Sequence, residues 1–562
     1  MDWNVFKGFT AHVDYALSFS NYFQKRADTP TGAAYDFQTG KDIGRYYVAD
    51  NVGVSDNNTT NYKTQLNGRL QYETTIAQNH NIGAMFVYSE EYWHTRSTGA
   101  SRNDRIHPST SEINSALTNV QSNSGSSASE GLRSYIGRMN YSAYDKYLLE
   151  FSFRVDGSSK FIKGHQYGFF PTVAVGWRFT EEEFLKKYLS SWLSSGKLRA
   201  SWGKLGDNSG VGRFEQLETL TAMNYMSSDV VKGFVNKKMI NKDLSWEVST
   251  DINVGLDLGF LNNRLRTEID FYNRLRTGMN RPSQMSIHLT GAYSAPRANI
   301  GDLLNRGLEL NLTWKDKIGN VEYSVNLNGA YNRTVLKEWN EFLSRGWVYL
   351  DMPYHFLYVY ENNGIAQTWQ DIYNNTPQGL SPGDVIRKDL NGDGIIDGKD
   401  KKAYPNIQRD RPTTTYGITL QAAWKGFDIS MLFNGGLGRK DFWLTDFNNT
   451  AFADRRYAST WDHWTEPWSL ENRGGEWPRL GTSTDRSDNS YWLYNMNYLR
   501  MKNIMLGYNL PKKLLSKISM TNLRIYASAE NLFTVTQYPG LDPEKKNSAR
   551  DLYPINLSLI HI

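Results

Sequence analysis

The sequence predicts an all-β protein, an antiparallel β-barrel that crosses a membrane with its strands. Three observations predict it: an apolar/polar alternation that recurs along the chain, the number of segments that show it, and the lack of any helix-length apolar run. The alternation is plainest in Val321-Glu-Tyr-Ser-Val-Asn-Leu-Asn-Gly-Ala-Tyr331. Successive side chains of a strand point to opposite faces, so this pattern gives one face to an apolar medium and the other to water.

A soluble β-sandwich has the same two faces, so strand number has to separate the two folds. A sandwich closes with about seven to nine strands over ~100 residues, whereas this chain of 562 residues yields about sixteen amphipathic segments. A large barrel, apolar outside and wet inside, accommodates that number. The mean hydropathy of -0.59 does not count against it. No uncharged apolar run approaches the ~18 residues of a spanning helix, but a spanning strand needs only about 9 to 11 residues and alternates. Aromatics make up 14% of the chain, with 35 Tyr and 17 Trp. That abundance suits the girdles of a barrel at the two membrane surfaces, or a sugar-binding surface.

Taken in order, the strands come as hairpins. Residues 70–76 and 82–88 flank a turn at 78–81, and residues 149–155 form the next clear strand. Residues 252–260 and 265–271 flank a turn at 261–264, and residues 416–424 and 427–433 are joined by Lys425-Gly426. Long connections cover 101–131, rich in Ser and Asn, then 338–412 and 438–490. Short turns on one rim and long loops on the other is the asymmetry of an outer-membrane barrel. Residues 514–518, after Pro511, read as a helical turn.

Composition argues against several functions. Without Cys there is neither a disulfide framework nor Cys-based metal or redox chemistry. The net charge of +5 is spread along the chain, with no basic block carrying interleaved aromatics, so no nucleic acid is expected as a partner. The nine His show no His-Glu-x-x-His spacing, Gly435-Gly-Leu-Gly438 lacks the Lys-Ser/Thr of a phosphate loop, and Gly-x-Ser-x-Gly is not found. No catalytic residue is therefore assigned.

The ends call for separate treatment. Met1-Asp-Trp-Asn-Val-Phe-Lys-Gly-Phe-Thr10 has no basic start followed by an apolar core, and it reads as the lead into a strand, with upstream chain expected before it. Leu557-Ser-Leu-Ile-His-Ile562 is what CTG-TCT-CTT-ATA-CAC-ATC encodes, which resembles a transposase mosaic end. The expected organisation is a single barrel unit over residues 1–556, with residues 557–562 a sequencing-adapter scar.

Several ordered stretches resemble the SusC/RagA family of TonB-linked outer-membrane transporters. They are Tyr147-Leu-Leu-Glu-Phe-Ser-Phe-Arg-Val-Asp-Gly-Ser-Ser-Lys-Phe161, Tyr167-Gly-Phe-Phe-Pro-Thr-Val-Ala-Val-Gly-Trp-Arg178 and Leu198-Arg-Ala-Ser-Trp-Gly-Lys-Leu-Gly-Asp-Asn208. Further along come Leu244-Ser-Trp-Glu-Val-Ser-Thr-Asp-Ile-Asn-Val-Gly-Leu-Asp257, Tyr498-Leu-Arg-Met-Lys-Asn-Ile-Met-Leu-Gly-Tyr-Asn-Leu-Pro511, Ala529-Glu-Asn-Leu-Phe-Thr534 and Tyr538-Pro-Gly-Leu-Asp-Pro-Glu544. The resemblance implies a barrel of about 22 strands with a plug inside it. It also implies a SusD-like lipoprotein lid, a TonB complex reached through the plug region, and import of oligosaccharides or peptides across the Gram-negative outer membrane. The chain departs from that pattern in showing neither plug nor TonB-contacting segment, and in reaching Tyr553-Pro554 one strand short of a terminal aromatic. The expectation is thus the later part of the barrel, incomplete at both ends. A secreted β-rich glycan-binding or glycan-cleaving protein is the alternative, and a passive porin a third reading.

The sharpest local motif is Asp389-Leu-Asn-Gly-Asp-Gly-Ile-Ile-Asp-Gly-Lys-Asp400. It has the spacing of a calcium loop, with Asp389, Asn391 and Asp393 at positions one, three and five, the Ile395 carbonyl at seven, Asp397 at nine and Asp400 at twelve. Gly394 supplies the sharp turn at six. Asp400 stands where a bidentate Glu is usual, so a structural Ca²⁺ site in an extracellular loop is expected, against the plainer reading of a solvated turn. Loop aromatics Trp339, Trp347, Tyr354, Tyr358, Trp369, Trp461, Trp464, Trp468 and Trp477 suit either sugar stacking or packing. Glu150, Arg154, Arg266, Glu268, Asp270 and Asp428 are expected on the wet face, and Leu265, Ile269, Phe271, Ile429, Met431 and Phe433 on the lipid face.

Overall fold

The computed structural model describes residues 1–28, 33–36, 41–45, 53–105, 110–118, 120–189, 192–226, 230–236, 238–290, 294–341, 349–353, 356–408, 411–442, 466–479, 489–516, 520–540 and 542–544. Sixteen strands form one antiparallel sheet whose order follows the sequence without a crossover. They are β1 Asp2–Phe6, β2 Phe9–Ala27, β3 Val54–Ile76, β4 His80–Arg102, β5 Gln121–Ala143, β6 Tyr147–Ser158, β7 Tyr167–Trp177 and β8 Leu193–Asp207. The second half comprises β9 Glu247–Phe260, β10 Leu265–Thr277, β11 Asp302–Ile318, β12 Val321–Glu338, β13 Thr414–Trp424, β14 Phe427–Leu437, β15 Tyr498–Asn509 and β16 Arg524–Thr536. Among the described residues β1 and β16 are the edges, so the sheet is an unclosed barrel wall.

Register shows that the two predicted faces run continuously from strand to strand. Asp270 of β10 stands opposite Gly255 and Glu309, and Glu268 opposite Asp257 and Asn311. Asn311 continues to Asn328, and Gly417 carries that row on to Asn434. The other face holds Ile269 opposite Leu256 and Leu310, then Ile429 opposite Ala422 and Leu506. All six residues expected on the wet face and all six expected on the lipid face fall as predicted. Apolar side chains on the outer face stay open, with Leu198 at 41%, Phe271 at 50% and Leu506 at 54% exposure. An apolar surface that extends over a whole sheet needs a non-aqueous neighbour, and lipid supplies it.

The two rims differ as expected. One carries the tight turns: Ala77 and Gln78 (φ 49° and 62°), Tyr144 and Asp145 (φ 52° and 55°), Leu261 to Asn263, and Lys425-Gly426 (φ 47° and 93°). Positive φ at both central residues of Lys425-Gly426 matches the two-residue hairpin turn that suits strand twist. A longer link on this rim contains the helical turn Lys512–Leu515. The opposite rim carries the β12–β13 and β14–β15 connections, the two that the sequence predicts to be longest.

Two expectations about boundaries change. The turn after β3 is shorter than the sequence suggests, because His80 already pairs with Ile76. The last third of the Ser- and Asn-rich stretch expected as a loop over 101–131 is strand, since Gln121 pairs with Arg102 and the ladder runs unbroken to Ala143 opposite His80. A run that is polar on both sides gives no period to read, yet its backbone groups still satisfy each other across the ladder. β3, β4 and β5 each have 23 residues. At about 3.3 Å per residue they reach well beyond a ~30 Å hydrocarbon layer, so their Ser/Thr/Asn ends form wall in water.

Candidate functional site

The polar face is built from alternate residues of neighbouring strands, and its charges are largely matched. Arg199 of β8 donates to both carboxylate oxygens of Asp257 (2.7 to 3.0 Å) and to Asp270 at 3.0 Å. Gly255 makes this fit, since a Cβ there would lie 2.7 Å from the Arg199 guanidinium carbon. Glu150 accepts from Arg138 at 2.7 Å, Arg154 pairs with Asp156, and Asp428 pairs with Arg524. Glu268 accepts from Asn311, and Arg266 lines a recess beside Glu268 and Asp257. Arg199 and Arg138 were not singled out from sequence, although both occupy polar positions of an alternating segment.

On this face a cavity of about 1370 Å³ opens at the short-turn rim, with Lys7, Glu73, Arg138, Glu150, Lys197 and Arg199 among its lining residues. Its walls come from the β1–β2 turn and from β3 round to β9, so this half of the sheet curls about it. The cavity can hold a large polar body by ion pairs and amide hydrogen bonds.

At the other rim the segments 356–408, 440–442, 466–479 and 489–497 pack into a crown. Leu357 and Val359 meet Phe442 and Trp492 in a buried cluster, with Tyr404, Ile407, Trp477 and Tyr491 against it. Asn362 N–H donates to Ser490 Oγ (2.9 Å), Trp468 Nε1 to Gln367 Oε1 (2.9 Å), and Arg479 Nε to the buried Asp384 (2.8 Å). Of the loop aromatics, Trp468 is therefore packing, Tyr358 is bonded to the Gly398 carbonyl and Trp339 is half-buried. Trp369 stands 55% exposed. Trp347, Tyr354, Trp461 and Trp464 lie outside the described residues, as do residues 557–562.

The loop Asp389 to Asp400 is one compact turn in the crown. Gly392 and Gly394 take positive φ (73° and 81°), as the sharp turn requires. Its acids accept from the loop's own backbone. Asp389 takes the N–H of Gly392 (2.6 Å) and Gly394 (2.9 Å), Asp393 that of Ile395, and Asp397 that of Lys399. The buried Asp400 takes those of Asp397 and Leu390, both at 2.9 Å, and these donors hold its carboxyl below the usual carboxylate range. Asn391 accepts from Asp393 N–H, and Ile395 is exposed. Among the described residues no three acidic or His side chains converge on one point.

A continuous lipid-facing sheet with a wet inner face and a loop crown defines an outer-membrane β-barrel. The chain matches the family model described as TonB dependent receptor-like, beta-barrel, over residues 1–377, and it belongs to that family. Members are transporters of the Gram-negative outer membrane, not enzymes, and that membrane is the location of this protein. Similar proteins include TonB-dependent receptor P3 of Formosa agariphila, 28% identical over 94% of this chain and 56% of its own length. TonB-dependent receptor SusC of Bacteroides thetaiotaomicron is 28% identical over 96% of this chain and 54% of its own. The chain thus spans about half the length of the curated relatives it matches. A solved structure of the RagAB peptide importer in its open-open state has the same fold, with TM-score 0.80 and 22% identity over 98% of this chain and 58% of that one.

Proposed function

We propose that this chain forms wall and crown of an importer that takes oligosaccharides or peptides across the outer membrane by coupling to TonB. The observation that carries the reading is family membership joined to the SusC likeness, which extends over 96% of the chain. The polar cavity at the short-turn rim would receive a plug, and the crown would meet a SusD-like lipoprotein. The RagAB assembly is described as a peptide importer, so peptides remain the competing cargo. Deleting the gene in its host and measuring uptake of labelled oligosaccharides and peptides, with and without TonB, tests the reading. Uptake unaffected by either deletion would refute it. A secreted glycan-binding protein is disfavoured by the exposed apolar outer face, which would not stay dissolved in water.

For the loop Asp389 to Asp400 we propose an optional structural Ca²⁺ site. Its support is the spacing of oxygen-bearing residues. Because the same oxygens accept backbone N–H bonds, a cation would have to displace some of them.

A further inference from the structure

The crown contains an open cavity of about 420 Å³, within the range of ligand pockets of ~300–1,000 Å³, whose walls include Gln367, Glu476, Trp477, Tyr491 and Tyr494. We propose that this cavity is a binding subsite for neutral sugar rings, an inference that rests on the import reading above and narrows its cargo.

Three features of the cavity argue for a sugar. First, its aromatic walls are fixed in advance. The fully buried Trp492 packs against Trp477 (ring centroids 6.2 Å, 34°) and meets Tyr491 edge-on (5.0 Å, 77°). The Tyr491 hydroxyl donates to the Glu476 carbonyl, which fixes the far end of that ring. Planes held this way lose little freedom when a ligand arrives.

Second, the polar groups sit beside the rings. Gln367 is held by the Trp468 indole (2.9 Å) and by Gly474 N–H (2.7 Å), and Glu476 is exposed. A pyranose offers an apolar C–H face and a rim of hydroxyls, which answers an aromatic wall with a carboxylate and an amide at its edge.

Third, the charge selects. Among the described residues that line the cavity, Glu476 is the one formal charge, and no Lys or Arg is present. Burial pushes the Tyr494 phenol up to about 12 and the Tyr491 phenol up as well, so both rings stay neutral. Uronates and sulfated sugars would face that carboxylate with no cation among the described lining residues to answer them.

The test is calorimetric titration of the complete transporter with neutral glucose, mannose and xylose hexasaccharides, a galacturonate hexasaccharide and a tryptic peptide mixture. The expected result is binding of at least one neutral hexasaccharide, weakened about tenfold by Tyr494→Ala, in line with the loss of one aromatic contact. Glu476→Lys, an exposed change that leaves the ring packing alone, should admit the galacturonate probe. Binding confined to galacturonate or peptide, no binding of any probe, or neutral binding unchanged in both variants overturns the proposal. TonB-dependent uptake of the same probes is scored separately. Uptake that persists while the variants bind normally sinks the subsite alone, and uptake that ignores TonB sinks the import reading.

Discussion

Arg500 and Asp542 meet at 2.6 Å with side chains 1% and 3% exposed, so the segment after β16 is pinned to the base of the crown by a buried ion pair. Glu544 joins through Arg500 Nη1 at 2.7 Å and Lys502 at 3.1 Å, while Arg439 donates to the Pro543 and Glu544 carbonyls. The motifs Tyr498-Leu-Arg500 and Leu541-Asp-Pro-Glu544 thus have a physical reason to occur together.

Arg500→Met should leave Asp542 buried and uncompensated, at a cost of about 3–5 kcal/mol. Thermal unfolding of the purified protein in detergent should show a clear drop, and limited proteolysis should cut near residue 540. Arg500→Met with Asp542→Leu should recover much of the loss. A single variant as stable as the parent would show that the pair contributes nothing.

The two faces were legible in the sequence because strand period is local: Leu265 to Phe271 alternates, and no distant contact is needed to see it. The crown was not legible. Leu357 and Trp492 come together across more than a hundred residues, and Trp468 reads as a stacking surface until Gln367 is found bonded to it. The polar strand ends were lost for a different reason, since Ser124 to Ser129 have no apolar face to betray a period. In the loop Asp389 to Asp400 the turn was legible and its ligand was not, because carboxylates spaced for a cation are also spaced for backbone donors.

Leu310 and Asn311 are adjacent in the middle of β11 and belong to opposite faces, Leu310 opposite Ile269 and Asn311 opposite Glu268. Leu310→Arg should cost about 2–4 kcal/mol near the membrane midplane, and Asn311→Arg far less. Heat-modifiable barrel in outer-membrane fractions measures both. Equal assembly of the two variants would invert or abolish the face assignment.

Gly426 closes the β13–β14 hairpin at φ 93°, where a Cβ would lie 2.8 Å from the Asn509 carbonyl oxygen. Gly426→Val combines strain with a backbone clash, and a loss of about 1–3 kcal/mol is expected. Lys425→Asn, which tolerates positive φ, should be neutral or slightly stabilising. Assembly yields of the two variants at raised temperature should separate clearly, and similar yields would mean that the turn relaxes freely.

Asp400 couples the loop to pH. Its folded-state carboxyl lies below the unfolded value of about 3.9, so its contribution is fully present above that value and is lost as pH falls through the folded one. The loop should therefore resist protease at neutral pH and open only in strong acid, and Asp400→Ala should open it at neutral pH. Calcium supplies the second readout. If the spacing serves a cation, binding should be weak, about 10⁻⁴ to 10⁻³ M as in extracellular modules, because the backbone donors to Asp389 and Asp393 must first be displaced. Titration of the complete transporter against its Asp389→Ala, Asp393→Ala variant decides. A heat present in the parent and absent in the variant establishes the site. Identical heats leave a turn whose acids are spent on their own backbone, with the acid lability of Asp400 unchanged by calcium.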